Sequence, residues 1–154
     1  MRNDDILKSL RYILDVNEAE MAEILKLAGY KPTRSEIEYI FEDHEDEGPD
    51  TTHELTAHFL DGVIYHKRGK SDKHPPQPIR YPVTNNMVLK KLRVAFKLKE
   101  EDILEILKNM GFKISSTELS ALFRNENHKN YRPAGDQVLR YFLRGLAERE
   151  RGKE

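Results

Sequence analysis

From Arg124 the chain reads RNENHKNYRPAGDQVLRYFLRGL, the stretch whose side chains are best suited to chemistry. It gathers Arg124, His128, Lys129, Tyr131, Arg132, Arg140 and Arg144 around a loop and the start of a helix. Arg140 and Arg144 are four residues apart and therefore share one helix face. Guanidinium groups take phosphate or carboxylate through paired N–H donors, and interleaved tyrosines can stack on bases. The chemistry on offer is the binding of a polyanion. Gly135 can shape the loop, and Asp136 can cap the helix that follows. The plainer reading is that these arginines answer acidic groups of the same chain or of a second copy. Either way they line an interface.

The charge distribution gives that plainer reading its weight. The net charge of −1 conceals 6 basic against 16 acidic residues from Met1 to Ile64, and 15 against 10 from Asn85 to Glu154. Such a split means that the halves attract each other or that the basic half meets a polyanion. The chain has no cysteine, which removes disulfides, thiolate zinc sites and cysteine nucleophiles. Apolar runs of membrane-spanning length are absent, and MRNDDILKSL lacks the apolar core of a signal peptide. The expectation is a soluble, cytoplasmic protein without a membrane partner.

Other stretches offer chemistry and lose it on inspection. DHEDEGPDTTHE, Asp43 to Glu54, approaches a calcium-loop pattern, with Gly48 at the sixth position and Glu54 at the twelfth. Glu45 and Glu47 stand where shorter acids fit such a loop, and Asp50 sits where an apolar residue belongs. Glu54 is also accounted for by a capping box with Thr51, and the later NENHKNYRPAGD has no such pattern. HELTAH places His53 and His58 five residues apart, on diverging sides of a helix, so the pair does not converge on one zinc ion. His58 is expected to pair with Glu54 along the helix surface. No G-x-x-x-x-G-K window and no identifiable Ser/His/Asp set are present. No metal, cofactor or catalytic residue is expected. PPQPIR has the P-x-x-P-x-R form that aromatic grooves bind, and is read as a spacer.

The elements that must position the basic stretch are written twice. NDDILKSLRYILDVNEAEMAEIL from Asn3 returns as NNMVLKKLRVAFKLKEEDILEIL from Asn85, an offset of 82 that holds without a gap to Phe41. Leu7/Leu89, Leu10/Leu92, Arg11/Arg93, Ile24/Ile106, Gly29/Gly111, Glu36/Glu118 and Phe41/Phe123 are identical pairs. Beyond Phe41 the offset becomes 83, pairing Leu55/Val138, Phe59/Phe142 and Gly62/Gly145. Each copy reads as four helices. Ile6, Leu7, Leu10 and Leu14 mark the face of the first, and Met21, Ile24, Leu25 and Ala28 that of the second. Gly29 stops the second helix, and Thr33-x-x-Glu36, matched by Ser115-x-x-Glu118, opens the third.

The second and third helices of a copy raise the idea of a helix-turn-helix. GYKPT and GFKIS make the turn too long, and Glu36, Glu38, Glu42 and Asp43 would repel phosphate. Residues 67–84, with four of the seven prolines, form an extended linker. The expected fold is all-α: a tandem of two pseudo-symmetric four-helix repeats, 1–66 acidic and 85–150 basic, joined by that linker and packed as one compact body.

NDDILKSLRY, TNNMVLKKLRVAF, KEEDILEIL and HKNYRPAGDQVLRYFLRGL together resemble the YehS-like family of small bacterial proteins. The resemblance covers essentially the whole chain and implies a bacterial cytoplasmic protein with a tandem helical repeat. The family is catalogued as a domain of unknown function, so the resemblance transfers no catalytic residue. Its pattern has a cysteine before the Gly-Asp-Gln triplet, where this chain has Ala134, so no thiol role comes with it. The reading carried forward is a non-catalytic interaction module. Its halves match in charge and its partner is another protein or a second copy in a homodimer. The alternative is binding of RNA or non-specific DNA through the second repeat.

Overall fold

The computed structural model describes residues 1–43, 48–70 and 78–152. Part of the calcium-like stretch (44–47) and part of the P-x-x-P string (75–77) lie outside the described residues. The described residues form eight α-helices: α1 Asn3–Leu14, α2 Glu18–Leu27, α3 Arg34–Phe41, α4 His53–Arg68, α5 Asn85–Ala95, α6 Glu100–Asn109, α7 Ser116–Phe123 and α8 Asp136–Arg151. No strand occurs among them. None is long and apolar enough to cross a membrane. The chain divides into two compact units, Met1–Val83 and Thr84–Glu154. All-α with a tandem of four helices per copy is thus the architecture.

The helix signals act locally and in parallel. Thr33 and Ser115 accept from the N–H groups of Glu36 and Glu118, whose carboxylates bond back to the Thr33 and Ser115 N–H. Asn17 and Glu20 form a further box at the start of α2. Gly29 and Gly111 sit at φ +84° and +80°, a left-handed turn that a β-carbon would strain. Their successors Tyr30 and Phe112 return an N–H to the Leu25 and Leu107 carbonyls. The apolar faces then close two cores. Leu7, Leu10, Met21, Ile24, Leu25, Ile40, Phe59 and Leu60 fill the first; Leu89, Leu92, Ile103, Leu107, Leu139, Phe142 and Leu146 fill the second.

Two features repeat across the units and fix the helix pairs. Gly62 on α4 and Gly145 on α8 lie directly against the Ile24 and Ile106 turns, where a methyl group would overlap the backbone carbonyl oxygen. The start of each first helix ties down the loop before the fourth. Asn3 Nδ2 donates to the Thr51 carbonyl at 2.8 Å, and Asn85 Nδ2 donates to the Ala134 carbonyl at 3.0 Å. The Thr51 N–H donates to the Asp4 carboxylate at 3.1 Å, and the Ala134 N–H to Asn86 Oδ1 at 2.8 Å.

Two local expectations are corrected. Thr52, not Thr51, caps α4 by accepting from the Leu55 N–H, because the Thr51 hydroxyl is claimed by the buried Asp4 carboxylate at 2.5 Å. His58 Nδ1 meets the Glu54 main-chain oxygen at 2.7 Å rather than its carboxylate, and its ring tilts against Tyr30 with centroids 5.3 Å apart.

Candidate functional site

The basic stretch begins where α7 ends. Its loop is built by short-range bonds: the Asn127 N–H donates to Asn125 Oδ1, and the His128 N–H to the Asn125 carbonyl, both at 2.9 Å. His128 Nδ1 then accepts from the Asn130 N–H at 3.0 Å, so this imidazole shapes the loop. Four bonds anchor the loop to the helices. Arg132 N–H donates to the Ala121 carbonyl at 3.1 Å. Asn86 Nδ2 donates to the Leu122 and Arg132 carbonyls, each at 2.9 Å. Lys90 Nζ donates to the Arg124 carbonyl at 3.2 Å. The Ala121 and Leu122 carbonyls at the end of α7 are therefore satisfied without using any arginine side chain.

The side chains of Arg124, His128, Lys129, Arg132, Arg140 and Arg144 are all solvent-exposed, and Tyr131 is half-buried. No ion pair among the described residues engages Arg124, Lys129, Arg132, Arg140 or Arg144. Arg132 spends one donor on the neighbouring Tyr131 carbonyl, at 3.2 Å. Arg140 and Arg144 share the outer face of α8, as their spacing requires. Asp136 does not cap α8. Gly135 holds the N-cap position with no side-chain bond, and the Asp136 carboxylate accepts from Asn85 Nδ2 at 2.9 Å. Tyr141, within the same stretch, stacks on Phe112 with centroids 5.4 Å apart.

Beside Arg124 lies a cleft of about 260 Å³ lined by Arg93, Glu100, Leu119, Ser120, Phe123 and Arg124. The Arg93 guanidinium sits 4.8 Å from the Phe123 ring centroid, a cation–π contact. Glu100 Oε1 accepts from the hydroxyls of Ser116 at 2.6 Å and Ser120 at 3.3 Å. Among the described residues no group of three or more His, Asp or Glu side chains is placed to hold a metal ion.

The family described as "Protein of unknown function (DUF1456)" matches residues 3–69 and 85–152. The chain belongs to this family. The two matched segments are the two copies of the sequence repeat. The chain is also 44% identical over 158 residues to "Uncharacterized protein YehS" of Escherichia coli (strain K12), covering 100% of this chain and 99% of that protein. No solved structure matches it.

Sequence reasoning about this family member found the exposed arginines but missed Arg93, Glu100, Ser120 and Phe123. For Arg93 and Phe123 the repeat held a signal, which the structure explains. Arg11/Arg93 and Phe41/Phe123 are identical across the repeat, and the Arg11 guanidinium also lies over the Phe41 ring, at 4.7 Å. Around that constant pair the lining changes from Glu38 and Glu42 in the first copy to Ser120 and Arg124 in the second.

Proposed function

We propose that this protein is a non-catalytic binding module whose second repeat holds single-stranded nucleic acid through Arg124, Lys129, Arg132, Arg140 and Arg144. One observation carries the reading. All five cations are solvent-exposed and none makes an ion pair among the described residues; of the five, Arg140 interacts electrostatically with an acid of its own helix, Asp136 one turn earlier. A cation whose task is to neutralise its own chain is expected to be held against an acid, as Arg149 is held to Asp102 at 3.4 Å. Loop and helix both supply cations, a spread that suits a flexible backbone better than a compact ligand. The acidic third helix of the first copy disfavours duplex reading by a matched pair of helices.

The test is fluorescence anisotropy of labelled single-stranded RNA and duplex DNA, titrated with salt. Single-stranded RNA should bind with a Kd of about 10⁻⁶ to 10⁻⁴ M and weaken linearly on a log–log salt plot. Replacing Arg132 and Arg140 by Ala should weaken all sequences alike and lower the slope by about 2. No change in anisotropy at about 50 mM salt retires the proposal.

The charge asymmetry supports a second reading, a protein-interaction scaffold in which the acidic copy of one chain pairs with the basic copy of another. Its signature is salt-sensitive self-association in sedimentation. A monomer at every salt concentration would remove it.

A further inference from the structure

The two copies keep an arginine over a phenylalanine but employ the arginine differently. In the first copy, Arg11 Nη1 donates to the Ile40 carbonyl near the end of α3, at 3.4 Å. In the second, the corresponding Leu122 carbonyl is already taken by Asn86 Nδ2. Asn86 stands where the first copy has Asp4, and a carboxylate has no N–H to give. With Asn86 supplying the N–H to that carbonyl, Arg93 is not needed for the capping bond that Arg11 makes, and it lines the cleft over the Phe123 ring. Arg124 replaces Glu42 at the same time, and Ser120 replaces Glu38, which in the first copy pairs with Arg34 at 2.8 Å. Three independent substitutions convert an acid-lined surface into a cleft with two guanidinium groups and an aromatic flank.

Glu100 constrains what can enter. Its Oε1 is satisfied by two serine hydroxyls, which leaves Oε2 as an acceptor within the lining. A bare anion would sit against this carboxylate without compensation. A ligand that carries a phosphate for Arg93 and Arg124 and an N–H donor for Glu100 satisfies all three. A flat ring would add stacking on the Arg93–Phe123 pair.

We propose that this cleft binds a single nucleotide. Its phosphate is held by Arg93 and Arg124, and an exocyclic amine of its base donates to Glu100. The nucleotide is either free or part of an RNA chain. The proposal rests on the nucleic-acid reading only for the second of those sources, through the shared Arg124.

The intact protein is titrated calorimetrically with adenosine, cytidine and uridine 5′-monophosphates and with inorganic phosphate. Adenosine and cytidine monophosphates should bind about tenfold more tightly than uridine monophosphate, whose base offers only an imide N–H flanked by two carbonyl oxygens that the carboxylate repels, a difference of about one hydrogen bond to a charged group. Ser120→Glu, which restores the acid of the first copy, should weaken the nucleotides about tenfold. Glu100→Gln offers a donor to a uracil carbonyl and should erase the base preference, which keeps the test open if Ser120→Glu fails to fold. Nucleotides binding no tighter than inorganic phosphate would overturn the proposal, as would a base preference that survives Glu100→Gln. RNA binding without any mononucleotide affinity sinks the cleft and leaves the surface reading standing. Mononucleotide affinity without RNA binding supports the cleft as a site for the free ligand and retires the surface reading.

Discussion

Asp4 and Asn86 occupy the same place in the two copies and differ by one amide nitrogen. Both are buried, and both accept the N–H of the loop before the fourth helix. Asp4 adds the Thr51 hydroxyl and the Arg2 guanidinium as donors, whereas Asn86 gives its own N–H groups to two carbonyls. Tyr30 and Phe112 show the same economy. The Tyr30 hydroxyl donates to Glu36 at 2.5 Å, which Phe112 cannot do for Glu118. Burial alone would push the Glu36 carboxyl up, but bonds from the Thr33 N–H, the Tyr30 hydroxyl and the Thr33 side chain hold it below the usual 4.5. Burial, and then the bond to Glu36, push the Tyr30 hydroxyl well above its ordinary range. Tyr30→Phe should therefore cost about 1 kcal/mol at neutral pH in urea denaturation. A carboxyl lowered in the folded state stabilises above its ordinary value and loses that contribution as pH falls through the lowered one. The gap between wild type and variant should accordingly narrow below pH 4.5. A gap that is constant from pH 7 to about 3 would show that the hydroxyl does not act through Glu36.

At the scale of the element, the pairs α2 with α4 and α6 with α8 turn on one missing β-carbon each. Exposed helix interiors favour Ala over Gly by about 1 kcal/mol, so propensity alone says that filling Gly62 or Gly145 would stabilise. Packing says the opposite. At Gly62 the nearest obstacle is the Ile24 carbonyl oxygen, main chain that cannot rotate away. At Gly145 it is the Ile106 Cγ2 methyl at 2.5 Å, followed by the Ile106 carbonyl oxygen at 2.8 Å. We expect Gly62→Ala to cost about 2–4 kcal/mol and Gly145→Ala less, about 1–3 kcal/mol, because a methyl can yield where a carbonyl cannot. Chemical denaturation of the two single variants checks both the sign and the order. Stabilisation by either would mean that the helices are not held this close.

For the molecule as a whole, charge is written unevenly along the chain. A polyanion approaching the chain also meets a segment, Met1–Ile64, with a net charge of −10. Neutralising Glu18 and Glu42, both exposed, to Gln should speed association with RNA at low salt and change nothing at high salt, where the field is screened. Stopped-flow rates at two ionic strengths read this directly, and a salt-independent gain would point to a direct contact instead. What the sequence by itself determined was whatever is local or periodic. The internal repeat follows from one constant offset along the chain, and the apolar faces of the helices, the Gly29 and Gly111 stops and the capping boxes at Thr33 and Ser115 follow from residues within a few positions of one another. The exposed Arg140 and Arg144 pair was legible for the same reason, since helical spacing alone puts both on one face. Only the tertiary structure decided that Thr51 serves Asp4, that Asp136 serves Asn85 instead of capping its own helix, and that Asn86 takes the Leu122 carbonyl and so leaves Arg93 to the cleft. Those partners are 36 to 51 residues apart, and a hydrogen bond across such a separation leaves no periodic trace in the chain.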